Sequence, residues 1–328
     1  KSAWVRRTVY GFASDMVAAV PGPLYHSAPN SFGLRAALSG QGVVLTPRFD
    51  PEGLLALIEK NRISHMFMVP TMFVRMLKLP KDVREKYDVS SLRYIIHAAA
   101  PCPPEAKRQM IEWWGPIIHE FYGSTESSAV TLATSEDALK KPGTVGRPIE
   151  GAEIVIVGEN GETLPRNQTG EIFTRIHGMP DFTYFNKPEK RAEIDRHGLI
   201  TSGDVGYLDD DGYLFINDRK RDMVISGGVN IYPAEIESVA LHMPDIKDCA
   251  VFGIPDAEFG ESLMAVVEPQ PGHDLKPEDV RAYLKQHLAD YKVPRHIEIG
   301  HDLPREDSGK IFKRRLRDPY WAKAGRTI

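Results

Sequence analysis

Between Val43 and Phe121, short apolar runs alternate with amphipathic stretches, and no other feature of the chain restricts its fold as much. The runs are Val43-Val44-Leu45, His65 to Val69, Leu92 to Ile96 and Ile117 to Phe121; between them lie Pro51 to Ile63, Thr71 to Leu77 and Pro104 to Trp113. Strand and helix alternating at this spacing argue for βαβ units and a largely parallel sheet with flanking helices. Ligands of such sheets sit beyond the carboxyl ends of the strands, so the functional loops are expected at His97 to Pro104 and at Tyr122 to Ser128.

From Gly151 to Ile216 the rhythm changes to period two, as in Glu153-Ile154-Val155-Ile156-Val157, with turn residues at Glu159-Asn160-Gly161 and Asp209-Asp210-Asp211-Gly212. That reads as a small antiparallel β region attached to the α/β body. The charge run Asp218-Arg219-Lys220-Arg221-Asp222 reads as an unstructured linker, followed by helix, strands, helix, strand and a basic terminal helix. The expected class is therefore α/β, with a small β subdomain and then a smaller mobile α+β domain, divided as 1–218 and 219–328. A length of 328 residues suits two domains, and 42% apolar with 26% charged residues is the mix of a globular protein. A net charge of −4 provides no long-range attraction for nucleic acid. Two cysteines, Cys102 and Cys249, lack disulfide or zinc spacing, and no apolar stretch is long enough for a membrane helix, which together favour a cytoplasmic chain. The opening Lys1-Ser2-Ala3-Trp4 has no initiator methionine, and the chain is expected to be part of a longer protein.

Four strings carry chemistry. In Tyr122-Gly123-Ser124-Thr125-Glu126 a glycine allows a sharp turn, hydroxyls can donate to phosphate oxygens, and a carboxylate can hold Mg²⁺; the same letters also describe a plain strand-exit turn. Thr201-Ser202-Gly203-Asp204 offers an aspartate on a tight turn for ribose hydroxyls, or simply an aspartate where turns favour one. After the charge run, Ser226-Gly227-Gly228 precedes a helix starting at Pro233; paired glycines admit a thin ligand, and equally make a hairpin. Last, Ser308-Gly309-Lys310 can swing a positive charge toward a phosphate or carboxylate, although most lysines are only solvated.

In this order the strings resemble the adenylate-forming superfamily of acyl-CoA synthetases, luciferases and peptide synthetase adenylation domains. Tyr122 to Glu126 resembles its YGxTE motif, and Gly170-Glu171 with Tyr184 to Glu189 resembles its GE…GYxxxPE element. Thr201 to Asp204 is similar to TGD, Arg219 to the arginine after the ribose loop, and Pro304 to Lys310 to PxxxxGK. The family's phosphate loop, of the form TSGTTGxPK, occurs nowhere in the chain. The resemblance implies an AMP-forming carboxylic acid:CoA ligase acting on a fatty or aromatic acid, with ATP, Mg²⁺ and coenzyme A. It implies that Thr125 contacts phosphate, Glu126 holds Mg²⁺, and Lys310 bridges carboxylate and α-phosphate. Tyr122 with Gly123, Ala99, Ala100 and Pro101 would line adenine, and Asp204 with Arg219 would hold the ribose. Arg221 would be the hinge, Ser226, Gly227 and Gly228 the coenzyme A channel, and His26 a gate beside an acyl pocket drawn from Ser31 to Leu38 and Ala98 to Ala100. No acid stands in Leu24 to Asn30, which disfavours an amino acid substrate. The alternatives are a domain that loads a carrier protein, and a nucleotide-binding fragment without turnover. Partners are small molecules, with a homodimer compatible and neither nucleic acid nor a membrane-spanning segment expected.

Overall fold

Short apolar runs become a five-stranded sheet in the computed structural model, which describes residues 2–305 and 311–324. Its strands are β1 (Val17–Val20), β2 (Gly42–Leu45), β3 (His65–Met68), β4 (Tyr94–His97) and β5 (Ile118–Glu120). They stand in the order β2-β1-β3-β4-β5, and each neighbouring pair runs parallel. The helices Ser27–Leu38, Pro51–Asn61, Pro70–Leu77 and Pro104–Trp114 lie in the crossovers. Three of these open on proline, whose fixed φ suits a first turn and whose missing N–H would have been unpaired there anyway. Asp50 also caps the second helix, its carboxylate accepting the Gly53 N–H at 2.7 Å.

Helices on both faces bury both sides of every central strand, which is why the runs read as continuously apolar. Met66, Met68 and Ile95 join Leu55, Ile58, Phe73 and Met110 on one face. Phe67 and Ile96 join Ala18, Val20, Phe32 and Phe121 on the other. The expected α/β class with a largely parallel sheet is what the chain adopts.

Beyond this body, Ala152–Val157 and Gly170–Ile176 pair antiparallel, followed across the sheet by Leu199–Leu208 and Asp195–Arg196, with Leu214–Arg219 also on Leu199–Leu208. Two sequence expectations are corrected here. Thr201 to Asp204 is not a tight turn but the middle of the strand Leu199–Leu208, with Gly203 at φ 78° supplying a local kink. Asp218 and Arg219 are likewise no unstructured linker; they end the strand Leu214–Arg219, and the turn begins at Lys220. Asp218 is drawn in by its carboxylate, which accepts the N–H groups of Arg219 at 2.7 Å and Ala234 at 2.9 Å, the latter a first-turn donor that its own helix leaves unpaired.

By contact density the chain separates into one unit of Lys1–Ser202 with Gly206–Ile216, and another of Gly203–Val205 with Asn217–Ile328. The second holds a five-stranded sheet in the order Val229–Ile231, Val224–Ser226, Gly260–Pro269, Ile246–Asp256, with His296–Ile299 parallel to Gly260–Pro269. Its central strands alternate strictly. Val251, Leu263, Ala265 and Val267 face Ile236, Val280 and Leu284, while Phe252, Ile254, Met264 and Val266 face Leu303 and Leu316. No helix among the described residues is long and apolar enough to cross a membrane.

Three imidazoles of the first unit, His65, His97 and His119, have their pKa lowered by burial. His97 is fully buried against the Phe73 ring, and burial holds its pKa well below the ordinary value. His119 stacks on Tyr94 with ring centres 4.1 Å apart, and burial brings it down to about 4. Both are neutral in the fold, whereas the unfolded chain protonates them below about pH 6.5. The unfolded state therefore binds more protons between that pH and the folded values, and stability is present above the window and lost as pH falls through it. For His119 alone the loss from pH 7 to pH 5 is expected to be about 2 kcal/mol. Urea midpoints at the two pH values should show this slope in the wild type and a shallower one in His119→Gln.

Candidate functional site

The chain leaves β5 through Phe121 and Tyr122 and doubles back as a hairpin of Gly123–Ser124 on Ser128–Ala129. Only glycine fits at its base, since a Cβ on residue 123 would stand 1.8 Å from the Ser128 carbonyl oxygen. The tip is held by hydroxyls. Ser124 Oγ accepts the N–H groups of Glu126 and Ser127 at 3.2 and 3.0 Å, and Ser127 Oγ accepts that of Ser124 at 2.9 Å. Thr125 Oγ1 is 3.0 Å from Ser27 Oγ, and the Tyr184 hydroxyl donates to Glu126 Oε1 at 3.0 Å. Burial and the Glu126 carboxylate push the Tyr184 phenol up, so it stays a donor. The Tyr122 ring is nearly covered and its hydroxyl lies 3.4 Å from Ser202 Oγ.

The neighbouring strand β4 ends at His97, which is in register with Glu120 of β5, so both strand exits emerge side by side. After β4, Ala99 takes φ 77°, a left-handed conformation costly for a residue with a Cβ, and Pro101, Pro103 and Pro104 follow. Beneath the two exits lies a buried ion pair between Lys107, on the helix Pro104–Trp114, and Glu120. The arrangement thus unites Ala99, Ala100, Pro101, Tyr122, Gly123, Thr125 and Glu126 on adjacent strand exits. Their donor set, hydroxyls and one carboxylate with no buried cation beside it among the described residues, suits a polyanion accompanied by a hard cation whose shell is filled mainly by phosphate and water. His26 precedes the helix Ser27–Leu38, half-buried, with the Tyr25 ring tilted against it at 4.6 Å between ring centres and with its Nε2 unpartnered among the described residues.

In the second unit Asp204, 8% exposed, pairs with Arg219 at 3.4 Å. Arg221 lies in the turn after the strand Leu214–Arg219. Ser226, Gly227 and Gly228 make the tight connection between Val224–Ser226 and Val229–Ile231, with φ 57° and 81° at the glycines. Lys310 lies outside the described residues. Sequence reasoning missed the roles of Ser27, Tyr184, Lys107 and Glu120. Of these, Tyr184 carried a signal as the first residue of the Tyr184 to Glu189 element, and Glu120 as a carboxylate at the end of an otherwise apolar strand.

Comparison with known proteins identifies the family. A family model described as AMP-binding enzyme matches residues 1–179, and one described as AMP-binding enzyme C-terminal domain matches residues 235–310. A feruloyl-CoA synthase of Amycolatopsis sp is 37% identical over 309 residues, covering 93% of this chain and 62% of the relative. A long-chain-fatty-acid–CoA ligase of Bacillus subtilis is 34% identical over 300 residues, covering 90% and 52%. Among solved structures, an o-succinylbenzoate coenzyme A synthetase of Bacillus subtilis in complex with ATP and magnesium superimposes with a TM-score of 0.83 at 29% identity, over 96% of this chain and 64% of that one. The chain therefore spans between about half and two thirds of the length of these relatives.

Gly123→Ala tests the hairpin. Forcing a Cβ against the Ser128 carbonyl should open the turn and speed amide exchange at Val130, whose N–H bonds the Tyr122 carbonyl at 2.7 Å, by about tenfold or more. Gly42→Ala, where the nearest atom to a new Cβ is 3.7 Å away, should leave that amide unchanged.

Proposed function

The chain belongs to the AMP-binding enzyme family, and on that premise we propose that it is part of an AMP-forming acyl-CoA synthetase. Its reaction would join a fatty or aromatic acid to coenzyme A through an acyl-adenylate. The observation that carries the reading is the Tyr122–Glu126 hairpin on the exit of β5, beside the Ala99–Pro101 loop on the exit of β4. A feruloyl-CoA synthase and a long-chain-fatty-acid–CoA ligase among the relatives support the aromatic and fatty classes.

In the first half-reaction the acid carboxylate attacks the α-phosphorus of ATP and expels pyrophosphate. Such a transfer depends on positioning and charge neutralisation. Tyr122 offers its ring to adenine, with the backbone of Ala99, Ala100 and Pro101 at its edge, while Thr125 donates to phosphate. Glu126, oriented by Tyr184, is the residue that would hold Mg²⁺, which when bound screens phosphate charge. Asp204 and Arg219 bind the ribose hydroxyls. Lys310 bridges the attacking carboxylate and the α-phosphate as charge develops between them. For the second half-reaction the small domain, residues 219–328, turns at Arg221. Lys310 then withdraws, and Ser226-Gly227-Gly228 borders the path of the coenzyme A thiol. His26 gates the acyl site. The two free cysteines, Cys102 and Cys249, are buried, which suits a reducing cytoplasm.

The test is pyrophosphate release by the full-length protein over a panel of fatty, aromatic and short-chain acids, with and without coenzyme A. Acid-dependent release followed by thioester formation is expected. Release with transfer only to a carrier protein would favour the loading-domain alternative, and no release with any acid would end the enzyme reading. Lys310→Ala should slow adenylation by about a hundredfold or more while sparing thioester formation from supplied acyl-adenylate.

A further inference from the structure

The Lys107–Glu120 ion pair is buried more completely than any other pair involving lysine in the described residues, with side-chain exposures of 6% and 5%. Placing two charges there is costly, and a buried pair is seldom kept for stability alone. Its surroundings show what it joins. Glu120 is the last residue of β5, and its backbone is fixed on one side by His97 of β4 and on the other by a two-bond bridge to Ala133, at 2.9 and 2.8 Å. Two residues later comes Tyr122. Lys107 sits in the first turns of the helix Pro104–Trp114, directly after the proline-rich segment that begins at Ala99. The segment 98–103 is thus strung between His97, locked in the sheet, and a helix whose buried cation is tied to the neighbouring strand.

That segment needs such a tether. Ala99 at φ 77° occupies a region an alanine leaves unless its surroundings hold it. Pro101 and Pro103 provide no N–H with which to pin it, and the Cys102 thiol makes only a long contact, 3.8 Å, to the Pro103 carbonyl. The titratable groups that face the pair from the elements around it are His97 and Cys102. His97 Nδ1 stands 3.9 Å from Glu120 Oε1, and neither of its ring nitrogens has a hydrogen-bond partner in the described residues. The Lys107 ammonium is therefore the group that meets the Glu120 carboxylate within hydrogen-bond reach.

We propose that Lys107 and Glu120 are positioning residues for the base-binding end of the nucleotide site, clamping the Ala99–Pro101 loop and the Tyr122 hairpin at the separation that accepts an adenine ring. The inference rests on the adenylation reading. Neither side chain touches substrate; each acts through the loop attached to it. The readout is thus base discrimination, which a residue important only for folding would not change.

In the full-length protein, acid-dependent ATP–pyrophosphate exchange is measured with ATP and with GTP for Glu120→Gln, Lys107→Met and Lys107→Arg. Glu120→Gln keeps the shape and leaves an acceptor for Lys107, and Lys107→Arg keeps the charge. For Glu120→Gln and Lys107→Met the KM for ATP should rise by about tenfold, and preference for ATP over GTP should fall by a similar factor, with the KM for the acid unchanged. Lys107→Arg should recover most of both. Activity falling only in proportion to the folded fraction, with ATP KM and base preference intact in Glu120→Gln, would overturn the proposal, as would an arginine that restores nothing. Wild-type protein without any acid-dependent exchange would instead overturn the functional reading on which the proposal stands.

Discussion

The parallel register between β4 and β5 is the constraint from which the site follows. Because His97 lies opposite Glu120, the chain leaves the sheet twice at the same height, and two loops separated by a helix in the sequence become neighbours. A parallel sheet covered on both faces has no exposed surface on which to bind anything, so its strand ends are where polar backbone and side chains can meet a ligand. The helices that bury Met66, Met68 and Ile95 on one side, and Phe67 and Ile96 on the other, fix that register through packing alone. A shift of one residue would turn each of those side chains to the wrong face.

The sequence made the large features legible because they depend on periodicity. Apolar runs four residues long with amphipathic stretches between them admit few arrangements other than a parallel α/β sheet, and the unbroken apolar run Leu263 to Val267 marks a strand with two covered faces. What depended on a partner distant in sequence was hidden. Thr201 to Asp204 carries turn residues, yet neighbouring strands on either side hold it extended, and tertiary pairing overrides the local preference. Asp218 looked solvated because it begins a charge run. It is instead a carboxylate that satisfies two backbone donors, one of them sixteen positions away. Lys107 gave no signal at all, since a lysine in an amphipathic helix is ordinarily on the wet face.

Strain and freedom are distributed unevenly around the strand exits. Gly123 is a steric requirement, imposed by the Ser128 carbonyl, whereas Ala99 adopts a positive φ with a side chain that resists it. The first is a local solution that the sequence supplies by itself. The second persists only because both flanks of its loop are anchored, and such over-determined backbone concentrates where geometry serves a ligand. Sheet and helix therefore do more than carry the loop; they hold it in a conformation that it would otherwise leave.

Carboxylates in this chain divide by the company they keep. Glu120 is matched with the Lys107 ammonium and Glu237 with that of Lys313 at 2.7 Å, each in the interior of its own unit, and Asp209 is matched with Lys141 at 2.8 Å. Their charge is neutralised inside the protein, and their work is to hold one element against another. Glu126 is different. Among the described residues the neutral hydroxyl of Tyr184 donates to it, which fixes its orientation and brings no opposite charge. A carboxylate oriented but not neutralised retains its attraction for a hard cation, whereas a lysine at the same distance would compete for the site. A phenol rather than an ammonium beside Glu126 is thus what sets this carboxylate apart from those that join one element to another.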